Sequence, residues 1–149
     1  SYYDTMDERR RPKTSPDARY SLPFILGAAI ARGDVLLEDF TAAGRENPIA
    51  LKLAQKVTYR FDEKYRRPGI EIGVVEIMTK GGSMFSKEVP FAYGHPENPI
   101  SKQDLFKKFK DCARYSVRSF KEGQMERVIG MVDRLEEVED VREIVRLLE

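Results

Sequence analysis

The chain has 149 residues, of which 41% are hydrophobic and 34% are charged. This length predicts about one domain, and this composition excludes disordered, collagen-like and low-complexity chains. The 26 basic residues are balanced by 25 acidic residues, and the resulting net charge of +1 lacks the strong positive charge that is typical of dedicated nucleic-acid-binding proteins.

Cysteine usage and hydropathy indicate an intracellular protein. Cys112 is the one cysteine in the sequence, so no intrachain disulfide can form. The longest apolar stretch, from Leu22 to Ala31, is shorter than the roughly 20 residues that a membrane-spanning helix needs. We therefore expect a soluble, cytoplasmic protein that has neither a membrane nor a nucleic acid as its partner.

The first 19 residues are polar and charged and show no apolar period, which predicts a polar arm outside the core. The core begins at Tyr20. Ser21 is a good N-cap residue, and Gly33 is a plausible left-handed stop, so the sequence between them predicts a buried helix to about Ala31. A short helical turn is predicted over residues 37–41, followed by a second helix that begins at Asn47 and runs to about residue 55.

Strand patterns follow these helices. Residues 57–61 alternate between apolar and polar side chains, residues 70–78 are rich in Ile and Val, and residues 84–91 are a third candidate strand. The Gly81-Gly82 pair between the last two runs is typical of a tight turn, which predicts a hairpin. The patterns predict at least three strands in one sheet.

After the strands, helical patterns resume and continue to the end of the chain. Ser101 followed by Asp104 is an N-terminal capping signature, and apolar residues recur at helical spacing from Leu105, from Gln124 and from Val141. This order predicts an α+β fold with a small, mainly antiparallel sheet between helices. We divide the chain into an arm (1–19), an α+β domain (20–122) and C-terminal helices (123–149).

Few residues in the sequence carry specific chemistry. His95 is the one histidine, so a metal site built from histidine and cysteine is excluded by count, and we expect no metal site. His95 lies in a proline-rich loop, where an exposed loop residue is a simpler interpretation than a general acid or base. Cys112 is predicted to be a small buried hydrophobe on the apolar helix face.

One cluster of cations recurs at three- and four-residue spacing, opposite the apolar face of the helix that follows Ser101. This basic stripe consists of Lys107, Lys110, Arg114, Arg118 and Lys121. It could bind phosphates, carboxylates or an acidic protein, or it could be neutralised by the acidic tail from Glu126 to Glu149. A solvated face is the simplest interpretation. RNA binding has less support, since the overall charge of the chain is balanced.

A second polar cluster, formed by Lys13, Arg19, Tyr20 and Ser21, lies beside the start of the first core helix. Helix N-termini favour anions, so this cluster could bind a polyanion such as a tricarboxylate. A helix cap and a surface arginine would explain the same residues without a ligand.

Three blocks of the sequence resemble one protein family. Residues 17–24, D-A-R-Y-S-L-P-F, are similar to the E-A-K-F-S-L-P-Y block of the MmgE/PrpD family, and residues 31–34 follow where that family carries L-L-D-G. Residues 94–101, G-H-P-E-N-P-I-S, are similar to its G-x-P-x-N-P-L-S segment, and residues 80–82 fall where it carries a K-D-G turn. Because the blocks occur in the family's order, the resemblance covers about residues 12–149.

The resemblance implies part of a two-domain enzyme, in which an α+β lid closes over a helical domain. Such enzymes are cofactor-independent lyases or isomerases, among them the 2-methylcitrate dehydratase of propionate metabolism. They act on a small polycarboxylate by removing a proton next to a carboxylate. The chain would correspond to the later part of the lid plus the terminal helices. The catalytic residues would lie on a helical domain of the same or a separate chain, so the isolated chain is expected to be inactive and to form a homo-oligomer.

The resemblance also implies where substrate would bind. The family motif ends in an active-site tyrosine, but Phe24 stands at that position here, and a phenyl ring cannot donate a hydrogen bond. The predicted substrate-binding residues are Lys13, Arg19, Tyr20, Ser21 and Phe24. The alternative function is a non-catalytic interaction module that uses the basic stripe from Lys107 to Lys121.

Overall fold

The computed structural model describes residues 6–67 and 70–149, and it confirms the predicted α+β fold. The described helices are α1 (Met6–Arg10), α2 (Ser15–Arg19), α3 (Leu22–Arg32), α4 (Ala42–Arg45), α5 (Pro48–Ala54), α6 (Lys102–Ala113), α7 (Gln124–Asp133) and α8 (Arg142–Leu148). The described strands are β1 (Arg66–Arg67), β2 (Ile70–Glu71), β3 (Gly73–Met78) and β4 (Met84–Val89). Short 3-10 turns occur at Leu37–Phe40, Glu63–Tyr65 and Leu135–Glu137.

The predicted arm contains two short helices, α1 and α2, while its first five residues lie outside the described residues. Each helix has five residues, which is too few for an apolar period to be visible in the sequence. Helix α2 begins with a capping box. The Thr14 hydroxyl accepts a hydrogen bond from the Asp17 amide, and the Asp17 carboxylate accepts one from the Thr14 amide at 2.9 Å.

Helix α3 confirms the predicted core helix and its two ends. The Ser21 hydroxyl accepts a hydrogen bond from the Phe24 amide at 3.2 Å, and Gly33 ends the helix with a φ of 85°. Helix α5, also predicted, begins after Asn47, whose side chain accepts hydrogen bonds from two amides of the first turn. The predicted turn over residues 37–41 is the 3-10 turn Leu37–Phe40.

Helices α3 and α5 pack closely because Gly27 has no side chain. A Cβ atom at Gly27 would overlap the carbonyl oxygen of Ala50 and would lie 3.0 Å from the amide nitrogen of Ala54. The absence of a side chain at Gly27 therefore permits the close approach of the two helices. The buried hydrophobic residues are Ala18, Phe24, Ala28, Ala50, Ala54 and Val128.

The prediction of three strands in one sheet is wrong for the described residues. Residues 57–61 do not form a strand, although their polarity alternates. The carbonyl oxygen of Val57, which a strand would offer to a neighbouring strand, accepts a hydrogen bond from the Arg10 guanidinium at 2.8 Å. Strands β1 and β2 pair with each other, and β3 pairs with β4, so that the described strands form two separate antiparallel pairs.

The predicted hairpin is confirmed as β3 and β4. Gly82 has a φ of 85°, and the Thr79 amide donates a hydrogen bond to the Ser83 carbonyl at 2.9 Å across the turn. The register pairs Ile77 with Phe85, and the side chains of every second residue lie on the same face of the hairpin.

The predicted C-terminal helices are confirmed as α6, α7 and α8. Helix α6 begins after Ser101, whose hydroxyl accepts a hydrogen bond from the Asp104 amide at 3.1 Å, as the capping signature predicted. Among the described helices, none combines the length and the apolar character that a membrane-spanning segment requires.

The chain divides into two compact units. The first unit comprises Ser1–Tyr59 and Lys108–Glu149, and the second unit comprises Arg60–Lys107. All the buried residues of the described chain belong to the first unit, and none of the described side chains of the second unit, at 60–65 and 72–107, is buried. The predicted boundaries after residues 19 and 122 stay a prediction.

Candidate functional site

An open depression of about 170 Å³ lies against helices α1 and α2 in the first unit. Its lining residues are Glu8, Arg9, Arg11, Lys13, Pro16, Asp17 and Tyr20. Three cations and two carboxylates leave the lining with one net positive charge, and the Tyr20 hydroxyl adds a hydrogen-bonding group. This chemistry suits a small anion that also has an apolar part.

Hydrogen bonds to other parts of the first unit hold helix α1 in place. The buried Ser21 hydroxyl donates to the carbonyl oxygen of Arg9, and the Arg9 guanidinium donates to the Tyr59 hydroxyl at 3.1 Å. The neighbouring Arg10 side chain is largely buried and donates to the Val57 carbonyl. The backbone that carries the cations of the depression is therefore fixed to the start of α3 and to the segment after α5.

The charged groups of the depression differ in the ion pairs and hydrogen bonds that they make with the rest of the chain. The exposed Arg11 guanidinium lies 3.6 Å from the Glu46 carboxylate, a surface ion pair of small energetic weight. Hydrogen bonds from the Thr14 hydroxyl, and then from the Thr14 amide, lower the pKa of Asp17, so its carboxylate is charged at neutral pH. Asp17 is thereby a cap of α2 and a weak base.

The structure brings together two of the five predicted substrate-binding residues. Lys13 and Tyr20 line the depression and are exposed, whereas Arg19 is exposed but does not belong to the lining. Ser21 and Phe24 are buried beneath the surface, and the Ser21 hydroxyl already makes hydrogen bonds within the chain. The other two cations of the lining are Arg9, in α1, and Arg11, which directly follows α1.

Arg9 and Arg11 are the cations of the lining that sequence reasoning missed. They belong to the run E-R-R-R-P-K over residues 8–13, which lies in the predicted polar arm. The run itself was the available signal, because it ends in Lys13, a predicted substrate-binding residue. Its placement depends on Ser21 and Tyr59, which are distant in sequence.

Comparison with known proteins decides the family. The MmgE/PrpD C-terminal domain matches residues 1–137. The chain belongs to the MmgE/PrpD family. It is similar to the cis-aconitate decarboxylases of Mus musculus, at 26% identity over 145 residues, and of Homo sapiens, at 27% identity over 139 residues. Each match covers 92% of this chain and 28% of the relative, so the chain spans just over a quarter of the length of these curated relatives. The predicted family resemblance is confirmed.

The sequence predicted that the basic stripe of this MmgE/PrpD domain forms one face of a helix, and this prediction is wrong. Helix α6 ends at Ala113, so Arg114, Arg118 and Lys121 follow the helix and do not continue the face of Lys107 and Lys110. The spacing of the cations does not determine where a helix ends, so it could not show that the last three cations lie beyond α6.

The acidic tail neutralises part of the stripe. The Lys110 ammonium lies 2.7 Å from the Glu126 carboxylate, and it lowers the pKa of Glu126 by a hydrogen bond. The Arg118 guanidinium donates to the backbone carbonyl of Glu149. Among the five cations, the ion pair of Lys110 with Glu126 therefore fits the intramolecular neutralisation considered from the sequence, whereas the contact of Arg118 is with a backbone carbonyl.

His95 and Cys112 differ in how well they were predicted. His95 is an exposed loop residue, as predicted, and its ring stacks on Phe91 at a centroid distance of 4.7 Å while Nδ1 accepts a hydrogen bond from the Glu97 amide. Cys112 is exposed, so the prediction of a buried hydrophobe is wrong, because no other element buries any residue of α6. In the described part of the chain, no group of three His, Cys, Asp or Glu residues could hold a metal ion.

Proposed function

We propose that this MmgE/PrpD domain is part of a cofactor-independent lyase or isomerase that acts on a small polycarboxylate. The observation that carries the proposal is the match of the family's C-terminal domain to residues 1–137. The cationic depression on α1 and α2 supports it, because a polycarboxylate requires cations at its binding site. Dehydration of 2-methylcitrate and decarboxylation of cis-aconitate, the activity named for the two relatives, are the candidate reactions.

In the proposed dehydration, a base removes a proton from the carbon next to a carboxylate, and negative charge develops on that carboxylate as the electron pair is delocalised into it. The electron pair then forms a double bond and expels the hydroxyl group of the neighbouring carbon, which takes up a proton and leaves as water. In the proposed decarboxylation, the bond to the departing CO₂ breaks, its electron pair shifts the double bond, and the carbon next to a remaining carboxylate takes up a proton. Fixed cations stabilise such developing charge most strongly when water is excluded. In this proposal Lys13 and the Tyr20 hydroxyl bind substrate oxygens, and the base belongs to a helical domain of the same or a separate chain. Asp17 is a poor candidate for the base, because Thr14 lowers its pKa.

The hairpin supports the need for a partner domain. Val75, Ile77 and Phe85 share one face of β3 and β4, and they are 37%, 40% and 61% exposed. Contiguous exposed apolar surface is typical of protein contact sites. We propose that the helical domain covers this face. A homo-oligomer, a cytoplasmic location and a role in propionate metabolism belong to the same proposal.

The alternative function, an interaction module that binds an acidic partner through the basic stripe, has less support. Lys110 and Arg118 already contact Glu126 and Glu149 within the chain. An acidic partner would first have to displace these contacts, which lowers its net gain in binding free energy.

A turnover assay tests the proposed function. The coding sequence upstream of Ser1 shows whether a helical domain is encoded in the same reading frame or in a separate gene. The 149-residue chain, the helical domain and the two together are then assayed with 2-methylcitrate and with cis-aconitate. We expect turnover of one substrate by the combined domains and none by the chain alone. Turnover by the chain alone would place the base in this chain, and no turnover of any polycarboxylate by the combination would contradict the proposal.

A further inference from the structure

We infer that Arg9, Arg11 and Lys13 together form the carboxylate-binding site of this domain, for a ligand with two or three carboxylates on a short carbon frame. The inference rests on the proposed function for the class of ligand, and it adds two residues to the site, Arg9 in α1 and Arg11 directly after α1. It also assigns Ser21 the role of a positioning residue.

The chemistry of the three cations favours carboxylates. A guanidinium is planar and presents parallel N–H donors that match the two oxygens of a carboxylate, whereas an ammonium is a point charge. Arg9 and Arg11 supply two such groups, and Lys13 supplies the third charge, all within five residues of chain. Because the three side chains line the same depression, one ligand with several carboxylates can contact more than one of them.

The size and the lining of the depression favour an organic polyanion over an inorganic ion. Its volume of about 170 Å³ is on the order of ten times the space that one water molecule requires. Pro16 and the Tyr20 ring supply apolar surface, while the carboxylates of Glu8 and Asp17 repel negative charge at other points of the lining. A ligand must therefore concentrate its charges near the cations and leave an uncharged carbon frame between them, which inorganic phosphate does not provide.

The site is held in place by bonds that do not involve the ligand. The buried Ser21 hydroxyl connects the Arg9 carbonyl to the first turn of α3, and Tyr59 accepts a hydrogen bond from the Arg9 guanidinium. A site whose backbone is already ordered loses less conformational entropy when a ligand binds. Ser21 therefore acts on binding through Arg9 without touching the ligand.

Calorimetric titration of the 149-residue chain with propane-1,2,3-tricarboxylate tests the inference. This probe has neither a hydroxyl group nor a double bond, so it can be neither dehydrated nor decarboxylated as an unsaturated acid. The double variant Arg11→Gln/Lys13→Gln is compared with Lys56→Gln/Arg146→Gln, which removes two exposed positive charges from the first unit outside the depression. We expect binding to weaken about tenfold or more in the first variant and by less than about twofold in the control.

Several outcomes would overturn the inference. They are an equal loss of affinity in the two double variants, the absence of saturable binding to the unchanged chain, and inorganic phosphate binding as tightly as the tricarboxylate. Circular dichroism of each variant separates a loss of affinity from a loss of folding. As a second variant, Arg11→Lys keeps the charge and removes the fork, and we expect its affinity to lie between those of the unchanged chain and the double variant.

The titration does not depend on turnover, so the inference and the proposed function fail separately. Binding that depends on Arg11 and Lys13, together with no turnover by the combined domains, would contradict only the proposed function. Turnover by the combined domains that is unchanged in Arg11→Gln/Lys13→Gln would contradict the inference and the role of Lys13 in substrate binding, while the proposed reaction would stand.

Discussion

The pair of helices α3 and α5 and the hairpin of β3 and β4 are both rich in apolar residues, but they bury them to very different extents. Phe24 on α3 is fully buried, and Gly27 lets the backbone of α5 come into direct contact with α3. On the hairpin, Ile77 and Phe85 face each other across the strands and are 40% and 61% exposed. The two helices bury part of their apolar surface against each other, whereas none of the described side chains of the hairpin is buried.

This difference separates what stabilises the chain from what the chain offers to a partner. Burial of apolar surface is the dominant favourable term in folding, so the first unit should carry most of the free energy of unfolding. The apolar face of the hairpin contributes little until something covers it. The comparison therefore predicts that equal substitutions in the two regions have unequal effects.

The largest contrast is expected for truncation of one phenylalanine in each region. Phe24→Ala should lower the free energy of unfolding by about 3 to 5 kcal/mol, because it removes a buried ring and leaves a cavity. Phe85→Ala should change it by less than about 1 kcal/mol, because the ring is mostly exposed. Urea unfolding of both variants measures this. Equal losses would mean that the hairpin face is buried in the isolated chain.

The next contrast concerns two glycines in helices of the first unit. Gly27→Ala should cost about 3 kcal/mol, because the added Cβ atom meets the backbone of Ala50 and Ala54. Gly130→Ala should instead gain up to about 1 kcal/mol, because nothing lies within 4 Å of its Cβ position and alanine favours helices. Thermal and urea unfolding give both values. If the two variants had the same sign, the close contact of α3 and α5 would be contradicted.

A smaller effect is expected at the two helix caps beside the depression. Ser21→Ala should cost about 1 to 2 kcal/mol, because Ser21 is buried, caps α3 and binds the Arg9 carbonyl. Thr14→Ala should cost about 0.5 kcal/mol, because it caps only the exposed, five-residue helix α2. Urea unfolding compares the two. Equal costs would argue that the link between Ser21 and Arg9 has no energetic value.

The smallest effect concerns the pH dependence of the second unit. Hydrogen bonds from Ser101, and then from Tyr93, lower the pKa of Asp104. The folded-state pKa is therefore below the unfolded value of about 3.9, so the stabilisation is complete above that pH and is lost as the pH falls through the folded-state pKa.

NMR titration of the Asp104 carboxyl carbon measures this effect. Tyr93→Phe removes one donor and should raise the pKa of Asp104 towards its ordinary value. Tyr115→Phe is the control, since Tyr115 has no part in the lowering of this pKa. An unchanged pKa of Asp104 in Tyr93→Phe would contradict the hydrogen-bond network at the start of α6.

The sequence predicted those elements whose signals are local. Ser21 and Gly33 mark the two ends of α3, Gly82 marks the hairpin turn, and Ser101 marks the start of α6. In each case the residue acts on backbone groups within a few positions, so the neighbouring sequence contains the information.

Features that depend on distant residues could not be predicted in the same way. The alternation over residues 57–61 predicted a strand, but the Val57 carbonyl accepts a hydrogen bond from Arg10, which lies 47 positions away. Cys112 was predicted to be buried from its helical spacing, which indicates a face but not whether another element covers it. The depression shows the same limit, because Arg9 is held there by Ser21 and Tyr59.

The measurement that tests the central claim most directly is exchange of the substrate's proton with solvent. The chain, the helical domain and their combination are incubated with 2-methylcitrate or cis-aconitate in D₂O, and NMR follows deuterium incorporation at the carbon next to a carboxylate. We predict incorporation or turnover with the combined domains only, and slower incorporation when Arg11 and Lys13 are replaced by glutamine. Incorporation at an equal rate with the helical domain alone would contradict the claim that this domain completes a polycarboxylate site.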